Sequence, residues 1–192
     1  MRQGALFAGS AKEEVVGAGA LLSPCDKYRY FLWRTWREDI APITFCLINP
    51  STADSKEDDP TLRKCMTYAR EWGFGGVQIV NLFAYRTKSP KVLAEAAKRG
   101  EDIVGPENDG NLRLVLQAPG VVLCGWGNMP STHVKRTSLA LSNLFGAPGA
   151  QLCCLGVNLD GSPKHPLYLR GDLQPQPYDL RDTLPKESNV LK

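Results

Sequence analysis

The sequence predicts an α/β fold: a three-layer α/β/α sandwich around a mainly parallel, four-stranded central sheet. Three observations predict it. Short apolar runs at residues 43–48, 77–83, 121–124 and 151–155 each stop at polar or glycine-rich residues, as buried strands do. Stretches with helical spacing of apolar residues stand between them. Strands alternating with helices imply a mainly parallel sheet covered on both faces.

Taken in order, residues 28–36 are aromatic-rich with partial alternation and read as an early strand. The run 43–48 ends at Asn49-Pro50-Ser51, a turn signal. Asp59 then suits a helix N-cap and Pro60 the first helical position, and Leu62, Cys65, Met66 and Ala69 recur at helical spacing until Gly73. After the run 77–83, Ser89 caps a helix over 90–98, and 107–117 carries Leu112, Val115 and Leu116 on one side. The run 121–124 ends at Gly125-Trp126-Gly127. A further helix over about 132–145 precedes the run 151–155. We expect an N-terminal extension over 1–24, a single domain over 25–170, and a proline-rich, loosely ordered tail over 171–192.

The 192 residues fit one domain at roughly 150 residues per domain. Hydrophobic residues at 43% and charged residues at 22% exclude a disordered chain or a coiled coil. Lys plus Arg number 23 against 20 for Asp plus Glu, a balance too even to demand a polyanionic partner. No apolar run approaches the about 20 residues that span a bilayer, and no long apolar stretch opens the chain, so we expect a cytoplasmic protein. The six cysteines include no C-x-x-C spacing, so neither a metal site nor a cofactor is expected. P-loop, dinucleotide-binding and nucleophile-elbow patterns are absent from the sequence.

In a parallel sheet ligands bind beyond the carboxyl ends of the strands. The residues there are Asn49 to Asp54, Asn81 to Arg86, Trp126 with its flanking glycines, and the loop around His165. Asn49, Pro50, Ser51 and Thr52 read either as a rigid ligand loop or as an ordinary turn. His165 in neutral form can donate a hydrogen bond where negative charge develops. Trp126 and Tyr168 offer rings for stacking, and Arg86 a cation for a phosphate. Asp54 and Asp58 are the carboxylates we expect to assist catalysis, with Asp58 and Asp59 also suited to capping.

These residues resemble two families. Tyr28-Arg29-Tyr30, Trp33-Arg34, Leu47 to Asp54, Asp58 to Thr61, Asn81 to Ala84, Trp126-Gly127 and His165 to Leu169 look like the domain-of-unknown-function family numbered 1643. More distantly, Leu47-Ile48-Asn49-Pro50-Ser51 and His165-Pro166-Leu167 are similar to the first and last motifs of the uracil-DNA glycosylase superfamily. Ser51 stands where that pattern has glycine, and Leu167 where it has serine. The second resemblance implies a glycosylase-like fold, with Asn49 positioning the hydrolytic water, His165 bonding the carbonyl of the leaving base and Asn81 near its edge. It implies an enzyme that hydrolyses an N-glycosidic bond of a nucleotide, or of a base, modified or not, in nucleic acid, DNA included. The alternative reading is a non-catalytic module that binds nucleotides or single-stranded nucleic acid, with Trp126 or Tyr168 stacking on a base; a scaffold for protein contacts is a third.

Overall fold

In the computed structural model, which describes residues 13–128 and 150–180, the apolar runs become the middle of a sheet. Strands β3 (Pro42–Leu47), β4 (Gly76–Asn81), β5 (Gly120–Cys124) and β6 (Ala150–Cys154) pair in parallel in the spatial order β4, β3, β5, β6. The whole sheet is larger than the expected four strands, and mixed. Strand β1 (Gly17–Leu22) pairs antiparallel with β2 (Arg29–Thr35), β2 pairs antiparallel with β4, and the short β7 (Gln176–Pro177) pairs antiparallel with β6. The result is one seven-stranded sheet.

Residues on both sides of 25–170 thus belong to the same sheet. Strand β1 is hard to see in sequence because Gly17-Ala18-Gly19-Ala20 has weak strand propensity. The structure supplies a reason for Gly19: a Cβ there would come within 2.1 Å of the Trp33 ring. In the region after residue 170, Tyr178 is buried and packs edge-on against Trp126, with ring centroids 6.0 Å apart. The helix expected over 132–145 lies outside the described residues. Among the described residues, no helix is long and apolar enough to cross a membrane.

Alternation along the strands sorts the core into two layers. Ile43, Phe45, Val77, Ile79 and Leu123 meet helix α1 (Pro60–Glu71) through Leu62, Cys65, Met66 and Ala69. Cys46, Val80, Val122 and Cys124 face the opposite way, toward Leu93 and Ala96 of α2 (Pro90–Lys98) and Leu112 and Leu116 of α3 (Asn108–Leu116). The two helix starts read from sequence carry their caps. Asp59 accepts the Leu62 amide at 2.7 Å, and Ser89 accepts the Lys91 amide at 3.2 Å.

Because β4 and β5 lie on opposite sides of β3, the chain leaves β3 and β5 in opposite directions. That is the switch point at which a crevice opens beyond the strand ends. The site lies there.

Candidate functional site

A cleft of about 370 Å³ sits at this crevice, within the range of small-molecule sites. Asn49 and Ser51 reach it from the end of β3, Trp126 and Gly127 from the end of β5, and His165 and Tyr168 from the loop after β6. Asp59, Pro60 and Thr61 bring the N-terminus of α1 to its wall, so the positive end of the helix dipole faces it. Beneath the cleft is a smaller cavity of about 30 Å³ that shares Asn49, Ser51, Asp59, Thr61 and His165 with it and adds Arg29 and Asn81.

His165 precedes a single 3-10 turn, Pro166–Tyr168, and its Nδ1 accepts the Leu167 amide at 3.3 Å. With Nδ1 an acceptor, the hydrogen-bond network assigns the ring proton to Nε2. Burial lowers the His165 pKa below its ordinary value, and the negative charge of Asp59 opposes the shift without cancelling it. The imidazole is therefore neutral at pH 7 and able to donate. Two glycines let the loop close on β5. A Cβ on Gly125 would stand 3.0 Å from Pro166 Cδ and 3.2 Å from Leu47 Cδ2. Gly127, at φ +72, donates its amide to Pro163 O at 2.9 Å.

Asn49 Nδ2 donates to Thr87 O at 2.9 Å and to Pro50 O at 3.1 Å, so its Oδ1 is the atom left for a ligand. Pro50 is buried and its carbonyl accepts the Thr87 amide at 2.9 Å, which clamps the two strand-end loops together. Thr52 is exposed and lines neither cavity. Trp126, only 1% exposed, forms a wall of the cleft from the core side. The ring available at the rim is Tyr168, which is 86% exposed.

The carboxylate in the site is Asp59, not Asp54 or Asp58. Asp54 folds back on its own loop, its Oδ1 accepting the Lys56 and Glu57 amides at 2.7 and 2.9 Å; these bonds lower its pKa. Asp58 turns away to the buried Arg34, whose Nε reaches it at 2.9 Å. Asp58→Ala should therefore cost about 1–3 kcal/mol of stability, less than a fully buried pair because Asp58 is part-exposed. Urea unfolding measures that loss, and whatever chemistry the cleft performs should proceed within about twofold of wild type, since no direct contact is removed. Arg86 likewise lies off the site, paired with Asp26 at 3.2 Å; Lys88 lines the cleft instead.

Arg29 is the residue that sequence reading missed. It is 3% exposed, and its nearest partners are neutral: Nη1 donates to Ala53 O at 2.8 Å and Nη2 to Asn81 Oδ1 at 3.2 Å. Among the described residues its Nε has no partner, and neither does Asn81 Nδ2. Burial pulls its pKa down to about 10, while the charge of Asp59 works to raise it. Buried donors left unmatched cost about 1–3 kcal/mol each. Both residues line the smaller cavity. The sequence signal is a pair of arginines, Arg29 and Arg34, in an otherwise aromatic and apolar strand.

The model of a family described as "Protein of unknown function (DUF1643)" matches residues 29–167, which span β2 through the His165 loop. No curated protein and no solved structure matches the chain.

Proposed function

The chain belongs to the DUF1643 family of proteins of unknown function, and on that footing we propose that its cleft hydrolyses an N-glycosidic bond in a nucleotide or in nucleic acid. One observation carries this reading: a neutral imidazole with an N–H donor, a carboxylate and the Asn49 amide oxygen share a single cleft. Departure of a base leaves positive charge on the sugar and negative charge on the base, so the site must stabilise an anion and deliver water. His165 Nε2–H answers the first need, reinforced by the N-terminus of α1. Asp59 answers the second as the base that takes a proton from water, with one oxygen on the Leu62 amide and the other unengaged among the described residues. Asn49 Oδ1 accepts from the water or from a sugar hydroxyl. The parallel order of the four inner strands, with Asn49 after one and His165 after another, supports the likeness to the uracil-DNA glycosylase superfamily.

The test is release of free base, followed by mass spectrometry. The probes are the free deoxynucleotides and single- and double-stranded oligonucleotides carrying deoxyuridine, deoxyinosine or 5-hydroxymethyldeoxyuridine. We expect release from at least one probe, slowed by about 10²–10³-fold in His165→Ala and unaffected by EDTA. Tight binding without release from any probe would instead identify a nucleotide-binding module, with Tyr168 at the exposed rim as its stacking ring.

A further inference from the structure

We infer that the cleft takes a phosphorylated substrate and that Lys88 is the residue that holds its phosphate. This rests on the reading above that the cleft accepts a nucleotide. Among the described residues that line the cleft, Lys88 alone carries a full positive charge, since His165 is neutral. Its ammonium makes no hydrogen bond or ion pair among the described residues. Two other cations beside this loop are already engaged, Arg86 with Asp26 at 3.2 Å and Lys27 with Glu101 at 3.0 Å. The backbone pins Lys88 close to the groups that react. Its neighbour Thr87 accepts from Asn49 Nδ2 at 2.9 Å and donates its amide to Pro50 O at 2.9 Å. Lys88 also stands directly before Ser89, the cap of α2, so the positive end of that helix adds to the potential there.

The order of the strands sets the order of the substrate's parts. Along the sheet the strand ends run β4, β3, β5, β6. Lys88 follows β4, Asn49 and Ser51 follow β3, and Trp126 and Gly127 follow β5. His165 follows β6 and lies against Gly127, where a Cβ would stand 3.4 Å from the Cβ of the histidine. Neighbouring strands are about 4.8 Å apart, so the three steps from β4 to β6 make a row of about 14 Å. A nucleotide laid along this row places its base at His165, its sugar over Asn49 and its phosphate at Lys88. Base, sugar and phosphate are joined in that same order. The charges agree with it. Asp59 lines the inner cavity as well as the cleft, whereas Lys88 lines the cleft alone, so a phosphate on Lys88 sits away from the carboxylate. The phosphate takes no part in the bond that breaks and anchors the substrate from a distance. Lys88 is thus a specificity residue and not a catalytic one.

The test offers the full chain each base in three forms: the deoxynucleoside, its 5′-monophosphate, and a single-stranded oligonucleotide that carries it. The probes are deoxyuridine, deoxyinosine and 5-hydroxymethyldeoxyuridine. For wild type, kcat/KM should be about 10–100-fold higher for a phosphorylated form than for the nucleoside, the usual gain from a hydrogen bond between charged groups. In Lys88→Met that ratio should fall to within about threefold of one, and Lys88→Arg, which keeps a cation, should retain it. Because it compares two substrates on one variant, the ratio does not register a general loss of folded enzyme. Which phosphorylated form shows the Lys88-dependent preference tells a free nucleotide from a strand. A wild-type ratio near one, or an undiminished ratio in Lys88→Met, overturns the assignment while base release itself stands. If no form releases base, the hydrolytic reading falls, and the same ratio taken from calorimetric dissociation constants decides the role of Lys88 on its own.

Discussion

His165→Ala is expected to slow base release by about 10²–10³-fold, the loss of about 2.7–4 kcal/mol that follows removal of one donor to a developing anion. The donor acts on charge that appears only as the base departs, so affinity for intact substrate should change by about 1 kcal/mol or less. Single-turnover release and equilibrium binding separate the two. Equal losses in both would mean that His165 binds substrate and does not act in the chemical step. The same residue predicts a pH dependence of stability. Its folded-state pKa lies below the ordinary 6.5 because it is buried, the negative charge of Asp59 opposing the shift. Between those two values the unfolded chain binds more protons than the folded one. Its contribution is therefore fully present above pH 6.5 and is lost as the pH falls through the depressed folded value. Denaturation of wild type and His165→Ala at pH 5 and pH 7.5 should show a smaller drop for the variant, and parallel drops would exclude the histidine as the source.

Some of this site was open to sequence reading and some was not, for a physical reason. Asn49 directly follows an apolar run, Asn81 and Trp126 stand near the ends of two others and His165 lies in the loop after the last, and in a parallel sheet those positions converge at one edge. Local pattern was enough for them. Which of two adjacent carboxylates enters the cleft was not a local question. Asp58 is drawn off by Arg34, 24 positions earlier in the chain, and Asp59 is left at the helix start with the cleft. Arg29 makes sense only beside Ala53 and Asn81, 24 and 52 positions away, and Arg86 is diverted by Asp26, 60 positions away. Strand β1 was hidden for a different cause: its glycines and alanines carry little strand propensity, and it exists because β2 offers an edge and Trp33 a ring to cover.

Asp59 carries two roles that substitutions can pull apart, and Asp59→Asn is expected to cut base release by about 10²–10⁴-fold, the usual loss for a positioned general base. As the cap of α1 its Oδ1 accepts the Leu62 amide. Asparagine caps helices as well as aspartate, so Asp59→Asn should leave thermal stability nearly unchanged. An amide oxygen, however, takes no proton from water at neutral pH. Asp59→Ala removes both functions and should add a stability loss of about 0.5–2 kcal/mol from the vacant cap. Asp59→Ser keeps a capping hydroxyl and should recover that stability without recovering rate. The pattern, not any one value, identifies the base: rate lost in all three variants, stability lost only in the alanine. If Asp59→Asn or Asp59→Ser releases base near the wild-type rate, Asp59 is a cap and nothing more. The water would then attack without a carboxylate, and the whole rate would rest on His165 and the N-terminus of α1.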